Sequence, residues 1–262
     1  MGIISLCGRI LFEAKECMRS FVGTACSAAF ADLRCICCGA PCTGRMPLCG
    51  RCASRYLRHF LPPGRGRCAV CGKPLLGEAG RCTACRSDPV LRSTDSVLPL
   101  HTYRLWKKEL LYLWKIRQER SFSPLFAAMA ADALPLISAA RCPVVPVPPR
   151  PGKLFREGWD QIEELCGFLA FRYGHRVLRL LSRRSAEQQK RKNRRERLSG
   201  GSVPAYEPSG LLRRLSAAGR LPQEVVLLDD VITTGATAEC CASVLKAAGI
   251  RKVHVLSLFI VD

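Results

Sequence analysis

The chain predicts an α/β protein, a parallel sheet flanked by helices, with a small cysteine-built domain in front of it. Three observations carry this: an apolar run that ends in two acids and a small hydroxyl-rich turn, a tandem repeat of cysteine pairs, and a length of 262 residues that accommodates two domains.

The apolar run is Val225-Val226-Leu227-Leu228. Four apolar residues, two of them β-branched, suit a strand covered on both faces in a parallel sheet. Asp229 and Asp230 follow, then Val231, Ile232, Thr233, Thr234, Gly235, Ala236 and Thr237. The next stretch, Ala238 to Ala248, has no proline and reads as a helix that Gly249 terminates. The turn therefore lies at the carboxyl end of a strand and the amino end of a helix, where open sheets bind ligands. Free backbone N–H groups and the helix dipole make that place an anion site, Gly235 lets the backbone approach closely, and Thr233, Thr234 and Thr237 add hydroxyl donors. Carboxylates cannot bind phosphate, but they accept hydrogen bonds from sugar hydroxyls and attract magnesium. The implied ligand is a ribose 5-phosphate. A bland alternative has the acids merely capping the helix; the ordered succession of strand, acid pair, turn and helix favours the site.

At these residues the chain resembles the type I phosphoribosyltransferases, whose signature for phosphoribosyl pyrophosphate is an apolar strand, two acids and a Thr-Thr-Gly-x-Thr loop. The resemblance implies that Asp229 and Asp230 hold the ribose 2- and 3-hydroxyls. It also implies that the loop Val231, Thr233, Thr234, Gly235, Ala236 and Thr237 wraps the 5-phosphate, with Mg2+ and pyrophosphate on the far side. Transfer of a phosphoribosyl group requires orientation, a neutralised leaving group and a stabilised oxocarbenium-like centre, and no protein nucleophile. In keeping with that, His59, His101, His175 and His254 share no spacing and read as structural.

The cysteine repeat is Cys35-x2-Cys38-x10-Cys49-x2-Cys52, followed by Cys68-x2-Cys71-x10-Cys82-x2-Cys85, every position displaced by 33 residues. Arg34, Gly39 and Pro41 recur in register as Arg67, Gly72 and Pro74. A Cys-x-x-Cys pair followed by glycine forms a knuckle that aims two thiolates at one metal, and two knuckles complete a four-thiolate Zn2+ site. Modules this short cannot hold a core alone, so metal supplies their folding energy. A secreted disulfide framework is disfavoured, since no cleavable signal precedes the cysteines and a large enzyme-like domain follows. Spacing leaves open whether each module binds its own ion or knuckles cross over, and it leaves Cys37 and Cys42 as rival ligands.

Together, tandem four-cysteine modules ahead of a phosphoribosyltransferase-like domain resemble the ComF family, whose members include proteins of natural competence. The expected organisation is a helical segment over 1–33, a double zinc-ribbon domain over 34–92 and a phosphoribosyltransferase-like domain over 97–262. Weaker family features occur in order: Tyr103 with Lys115, Val145-Pro146-Val147-Pro148, Gly158-Trp159-Asp160-Gln161, and Gln188 in an arginine-rich run. The family's Arg-Gly-Phe-Asn-Gln block reads Glu157-Gly158-Trp159-Asp160-Gln161 here, which places an acid where a base is usual. Lys153 and Arg156 are the candidates for the pyrophosphate side. Asp160 replaces an asparagine and can only accept hydrogen bonds. Lys115 matches a family lysine, although taken alone it reads as a solvated lysine.

Val144 to Val147 read as a short strand rather than a polyproline linker, because only a strand explains the alternating valines. Over Tyr103 to Arg117, Trp106, Leu110, Leu113 and Trp114 recur at helical spacing and read as a core stripe. Residues Met1 to Asp32 form no membrane span, since charges interrupt every apolar run; they leave an amphipathic helix to dock on the protein, a partner or a membrane surface, of which the protein itself is favoured.

The chain is 48% hydrophobic and carries 41 Lys and Arg against 21 Asp and Glu, a net charge of +20. Arg183 to Arg197 holds eight bases and two acids, and Arg34 to Arg92 eleven and two. Both are candidate polyanion contacts. Two functions follow: a magnesium-dependent phosphoribosyltransferase of the ComF type acting in DNA uptake, or a non-catalytic protein whose pocket senses the sugar phosphate while its zinc modules hold single-stranded nucleic acid. The resemblance implies a cytoplasmic setting and, as partners beside phosphoribosyl pyrophosphate, single-stranded DNA and a competence helicase or other DNA-processing proteins. The acceptor is not legible.

Overall fold

The computed structural model describes residues 34–42, 46–57, 60, 62–64, 66–138, 142–184 and 205–261. The expected helix over 1–33, His59, Gln188 and the basic run beyond Arg184 lie outside them.

The two cysteine modules fold alike. In each, the first cysteine's N–H reaches past the knuckle, Cys35 to the Ala40 carbonyl and Cys68 to the Lys73 carbonyl, both at 2.8 Å. The knuckle closes through Gly39 and Gly72, at φ of 71° and 70°, a region that glycine enters without steric cost. Isolated bridges join Arg34 to Pro41 and Arg67 to Pro74. The third cysteine of each module, Cys49 or Cys82, precedes a short helix, α1 (Gly50–Tyr56) or α2 (Thr83–Ser87), and the fourth is buried inside that helix.

The remaining elements are β1 (Ser96–Thr102), α3 (Trp106–Lys115), α4 (Ser123–Ile137), β2 (Val144–Pro146), α5 (Lys153–Glu157), α6 (Gln161–Tyr173), β3 (Leu181–Arg183), β4 (Tyr206–Pro208), α7 (Gly210–Ala217), β5 (Glu224–Ile232), α8 (Ala236–Ala247) and β6 (Lys252–Ile260). Strands β1, β6, β5 and β2 form one parallel sheet in that order, with β5 and its acids inside it. Val177 extends the β2 side by a parallel bridge to Val144. Strands β3 and β4 form a separate antiparallel pair. The expected strand at Val144 and helix over Trp106–Lys115 are present, and Leu110 and Trp114 of that helix are fully buried. The helix after the loop starts at Ala236, two residues before the expected Ala238, and Gly249 follows it at φ 107°.

Side chains alternate across β5, so the sheet separates two apolar cores. Val226 and Leu228 pack with Leu98, Leu100, Trp114, Phe126 and Leu165 on one face, and Val225 and Leu227 with Val97, Val145, Cys241 and Leu245 on the other. The modules divide between them. Cys35, Leu48, Cys52, Ala53 and Leu57 join the first core, and Cys68, Cys71, Cys82, Cys85 and Leu91 the second. They thus straddle β1, the edge strand.

Two contacts lock this arrangement. His101 of β1 donates from Nε2 to the Leu57 carbonyl at 2.8 Å. Burial, reinforced by Lys107, lowers that imidazole to about 4, so it stays neutral near pH 7. Arg67 is buried and donates from Nη1 to the carbonyls of Gly72 (2.6 Å) and Pro99 (2.9 Å). Pro99 offers no N–H, which suits an edge strand, and the guanidinium satisfies its free carbonyl.

Candidate functional site

Each module gathers its own four thiols. The Sγ atoms of Cys35, Cys38, Cys49 and Cys52 lie within 4.8 Å of one another, and so do those of Cys68, Cys71, Cys82 and Cys85. Knuckles therefore do not cross over, and neither Cys37 nor Cys42 joins a cluster. A tetrahedron with Zn–S bonds of about 2.3 Å has edges of roughly 3.8 Å, and Cys38–Cys49 and Cys71–Cys82 both stand at 3.8 Å. Burial pushes the Cys35 thiol up, but N–H donors from Cys49, Cys38 and Cys37 outweigh it and bring it down to about 6. Cys68 also falls to about 6, against burial, through N–H donors of Cys71, Cys82 and Val70. In the same sets burial pushes Cys52, Cys71 and Cys85 up, so the convergence of four sulfurs, rather than uniform acidity, is what fits a cation, and both sets can hold zinc.

The second site lies at the carboxyl end of β5. Asp229 and Asp230 are both buried, although both are acids, whereas the strand's other acid, Glu224, is at its half-buried start. The Asp230 N–H donates to Asp229 Oδ1 at 2.8 Å, which holds the first carboxylate against the backbone. Burial, and next the neighbouring Asp230 charge, push the Asp229 carboxyl up to about 8. Asp230 is compensated: Lys115 Nζ lies 2.6 Å from its Oδ2, and Gln161 Nε2 donates to the same oxygen at 2.7 Å. Lys115, which alone reads as solvated, is thus the acid's ion-pair partner.

Gln161 is itself oriented. Its Oε1 accepts from Lys153 Nζ at 2.5 Å, so its amide NH2 must face Asp230. Lys153 also pairs with Asp160 Oδ2 at 2.8 Å, and the other oxygen of Asp160 caps α6 by accepting from the N–H groups of Ile162 and Glu163. The acid that replaces the family's asparagine therefore serves as a helix cap and as the counter-charge of Lys153. Arg156 is exposed on α5. Behind this row runs a chain that sequence reasoning missed: Trp114 Nε1 donates to Ser123 Oγ at 2.8 Å, Ser123 donates to Glu164, and Trp159 Nε1 donates to Glu164 Oε2 at 2.9 Å. It ties α3, which bears Lys115, to α6, which bears Gln161.

Beyond the acids, Thr233, Thr234, Ala236 and Thr237 are exposed, while Gly235 is buried at φ 86° and caps α8. Thr234 Oγ1 accepts from the Ala236 N–H at 3.3 Å. Buried carboxylates with an ordered lysine and glutamine thus stand one turn from an open, hydroxyl-bearing helix amino end. Asp229, Asp230, Lys115, Gln161 and Lys153 come together, and the loop residues Val231, Thr233, Thr234, Gly235, Ala236 and Thr237 lie beside them.

A helix-flanked parallel sheet with an acid pair at the end of an inner strand, fronted by two four-cysteine clusters, is the build of a type I phosphoribosyltransferase-like protein with a zinc-ribbon domain. No protein-family profile matches the chain. It is similar to the competence protein ComFC of Streptococcus pneumoniae strain R6, at 28% identity over 159 residues, which are 61% of this chain and 66% of that protein. The match thus spans just under two thirds of the relative. With the two cysteine clusters, it supports placing the chain in the ComF family.

Proposed function

We propose that the chain binds phosphoribosyl pyrophosphate with magnesium at Asp229, Asp230 and the loop Val231–Thr237, and acts as a ComF-type phosphoribosyltransferase in DNA uptake. The observation that carries this reading is the juxtaposition of the Lys115–Asp230–Gln161 cluster with the exposed threonines of the Gly235-capped helix. The acids would accept the ribose hydroxyls, and the helix end would take the 5-phosphate. Magnesium, when bound with the substrate, neutralises the leaving pyrophosphate. In this reading Lys115 exchanges its pairing with Asp230 for one with that anion, and Lys153 and Arg156 serve as the further cations of the pyrophosphate side. Calorimetric titration of zinc-loaded protein with phosphoribosyl pyrophosphate and Mg2+ tests the reading. Saturable binding that Asp229→Asn with Asp230→Asn abolishes, at unchanged zinc content, supports it; equal binding by the double variant overturns it.

The second reading is a non-catalytic, cytoplasmic single-strand nucleic-acid binder acting beside a competence helicase. It is favoured by the exposed Arg51, Arg55, Arg81 and Arg86 on the cysteine modules. Pyrophosphate release on a panel of acceptors separates it from the first. Single-strand binding that weakens steeply with salt and disappears on zinc removal supports it.

A further inference from the structure

The segment between the second cysteine module and β1 does not cross open solvent. It lies on α8, the helix that starts at the phosphate loop. Glu239, in the first turn of α8, accepts from the Arg92 N–H at 2.7 Å and the Ser93 N–H at 2.9 Å with Oε2, and from Ser93 Oγ at 2.6 Å with Oε1. Three donors from two residues thus converge on one carboxylate. Two turns along the same helix, Lys246 Nζ pairs with Asp95 Oδ2 at 2.7 Å, and Asp95 Oδ2 also accepts from the Val253 N–H at 2.7 Å. The segment therefore runs alongside α8, pinned at both ends.

Its upstream end reaches the loop. Leu91 is buried, and its side chain lies 3.0 to 3.3 Å from the place that a Cβ on Gly235 would occupy. Leu91 also belongs to the apolar cluster of Cys68, Cys71, Cys82 and Cys85. The backbone glycine that shapes the helix end is thus covered by a residue held by the second module on one side and by Glu239 on the other. The Glu239 N–H in turn donates to the Gly235 carbonyl at 2.9 Å, so the carboxylate that grips the strap sits on the turn that Gly235 opens.

We propose that residues 91–95 are a strap that sets the conformation of the loop Thr233–Thr237, with Glu239 as its positioning residue. This rests on the reading of that loop as the 5-phosphate cradle. Glu239 does not touch the ligand; it fixes the backbone N–H groups that do. Its loss acts on the 5-phosphate and leaves the pyrophosphate side, built from α5 and α6, as it was.

The test is titration of the full chain with ribose 5-phosphate, with pyrophosphate and Mg2+, and with phosphoribosyl pyrophosphate and Mg2+, beside amide hydrogen exchange of residues 233–237. Glu239→Ala is expected to weaken ribose 5-phosphate and phosphoribosyl pyrophosphate by about tenfold, to leave pyrophosphate within twofold, and to speed exchange of the loop amides. Glu239→Gln, which keeps one acceptor oxygen, should fall between Ala and wild type. Ser93→Ala, which removes only a hydroxyl, gives the same direction should Glu239→Ala fail to fold. Unchanged ribose 5-phosphate affinity and unchanged exchange in these variants, beside lost binding in Asp229→Asn with Asp230→Asn, would overturn the strap and leave the site reading intact. Equal weakening of all three ligands would also overturn it, since that is general destabilisation. Failure of the wild type to bind any of the three overturns the site reading, and the strap's role with it.

Discussion

Asp230 shares one carboxylate oxygen between Lys115 Nζ and Gln161 Nε2, and the two bonds differ in kind. The glutamine satisfies the acceptor, whereas the lysine supplies the charge that makes a buried carboxylate tolerable. Removing the lysine strands that charge. Because the Lys115 side chain is 35% exposed, the cost is smaller than for a dry pair, and Lys115→Met should lose about 2 kcal/mol in urea unfolding at neutral pH. Asp230→Asn in the same background should recover most of it, the signature of a coupled pair. Asp229 makes no such ion pair; burial, then Asp230, outweigh the Asp230 N–H and the Lys115 charge and hold its carboxyl up at about 8. A folded-state value above the unfolded one, an ordinary 3.8, means that the native protein binds the extra proton between about pH 4 and 8. Stability contributed by this group therefore falls as pH rises through that window. Binding that requires the carboxylate should strengthen over the same window and release a proton, measurable as a buffer-dependent enthalpy. Asp230→Asn should flatten the stability slope without abolishing it, because burial is the larger cause; a slope unchanged by that substitution would contradict the assignment.

Among elements, the two knuckles form an internal control. Gly39 and Gly72 occupy equivalent positions with nearly equal φ, yet a Cβ on Gly39 meets nothing within 4 Å, whereas one on Gly72 would lie 2.0 Å from the Val97 carbonyl oxygen and 2.6 Å from Pro99 Cδ. Gly39→Ala should cost about 1 kcal/mol, the penalty for left-handed backbone. Gly72→Ala should cost about 3 kcal/mol or more, because the module must move off β1; thermal unfolding of the two variants side by side measures the difference. The repeat was readable from the cysteines, and so was the four-thiolate chemistry, since ligands lie within a few residues of one another. That the knuckle of only the second copy abuts β1 was not readable, because the same glycine serves both copies and only its surroundings differ. The candidate site divides in the same way. Strand, acids, turn and helix follow one another in sequence and were legible there. Lys115 stands 115 positions from Asp230 and Ser93 stands 146 from Glu239, and no local pattern links either pair.

Across the whole molecule, the cysteine modules have no interior of their own. Leu57 of the first is buried among residues of one sheet face, and Leu91 of the second among residues of the other. Arg67 bonds the second module to β1 at the Pro99 carbonyl, and His101, two residues on, bonds β1 to the first. The thiols sit inside these cores, with Cys35, Cys52, Cys68, Cys71, Cys82 and Cys85 all buried. A metal ion that organises them therefore stabilises both sides of the sheet, and its binding energy adds to that of the whole fold. If the modules were tethered independently, a chelator would unfold them at low temperature and leave the α/β transition where it was. The shared cores predict instead a single calorimetric transition that moves down as zinc is removed, with no separate melting of residues 34–92. Mutating one cluster at a time refines the test. Cys38→Ser, at an exposed ligand position, should lower that single transition through the first core alone. Cys71→Ser should lower it through the second core and also loosen the loop at Gly235, read as faster amide exchange at 233–237 that Cys38→Ser does not produce. Two resolved transitions in the metal-free protein, the upper one at the temperature of the zinc-loaded form, would show that the contacts across β1 add nothing to cooperativity.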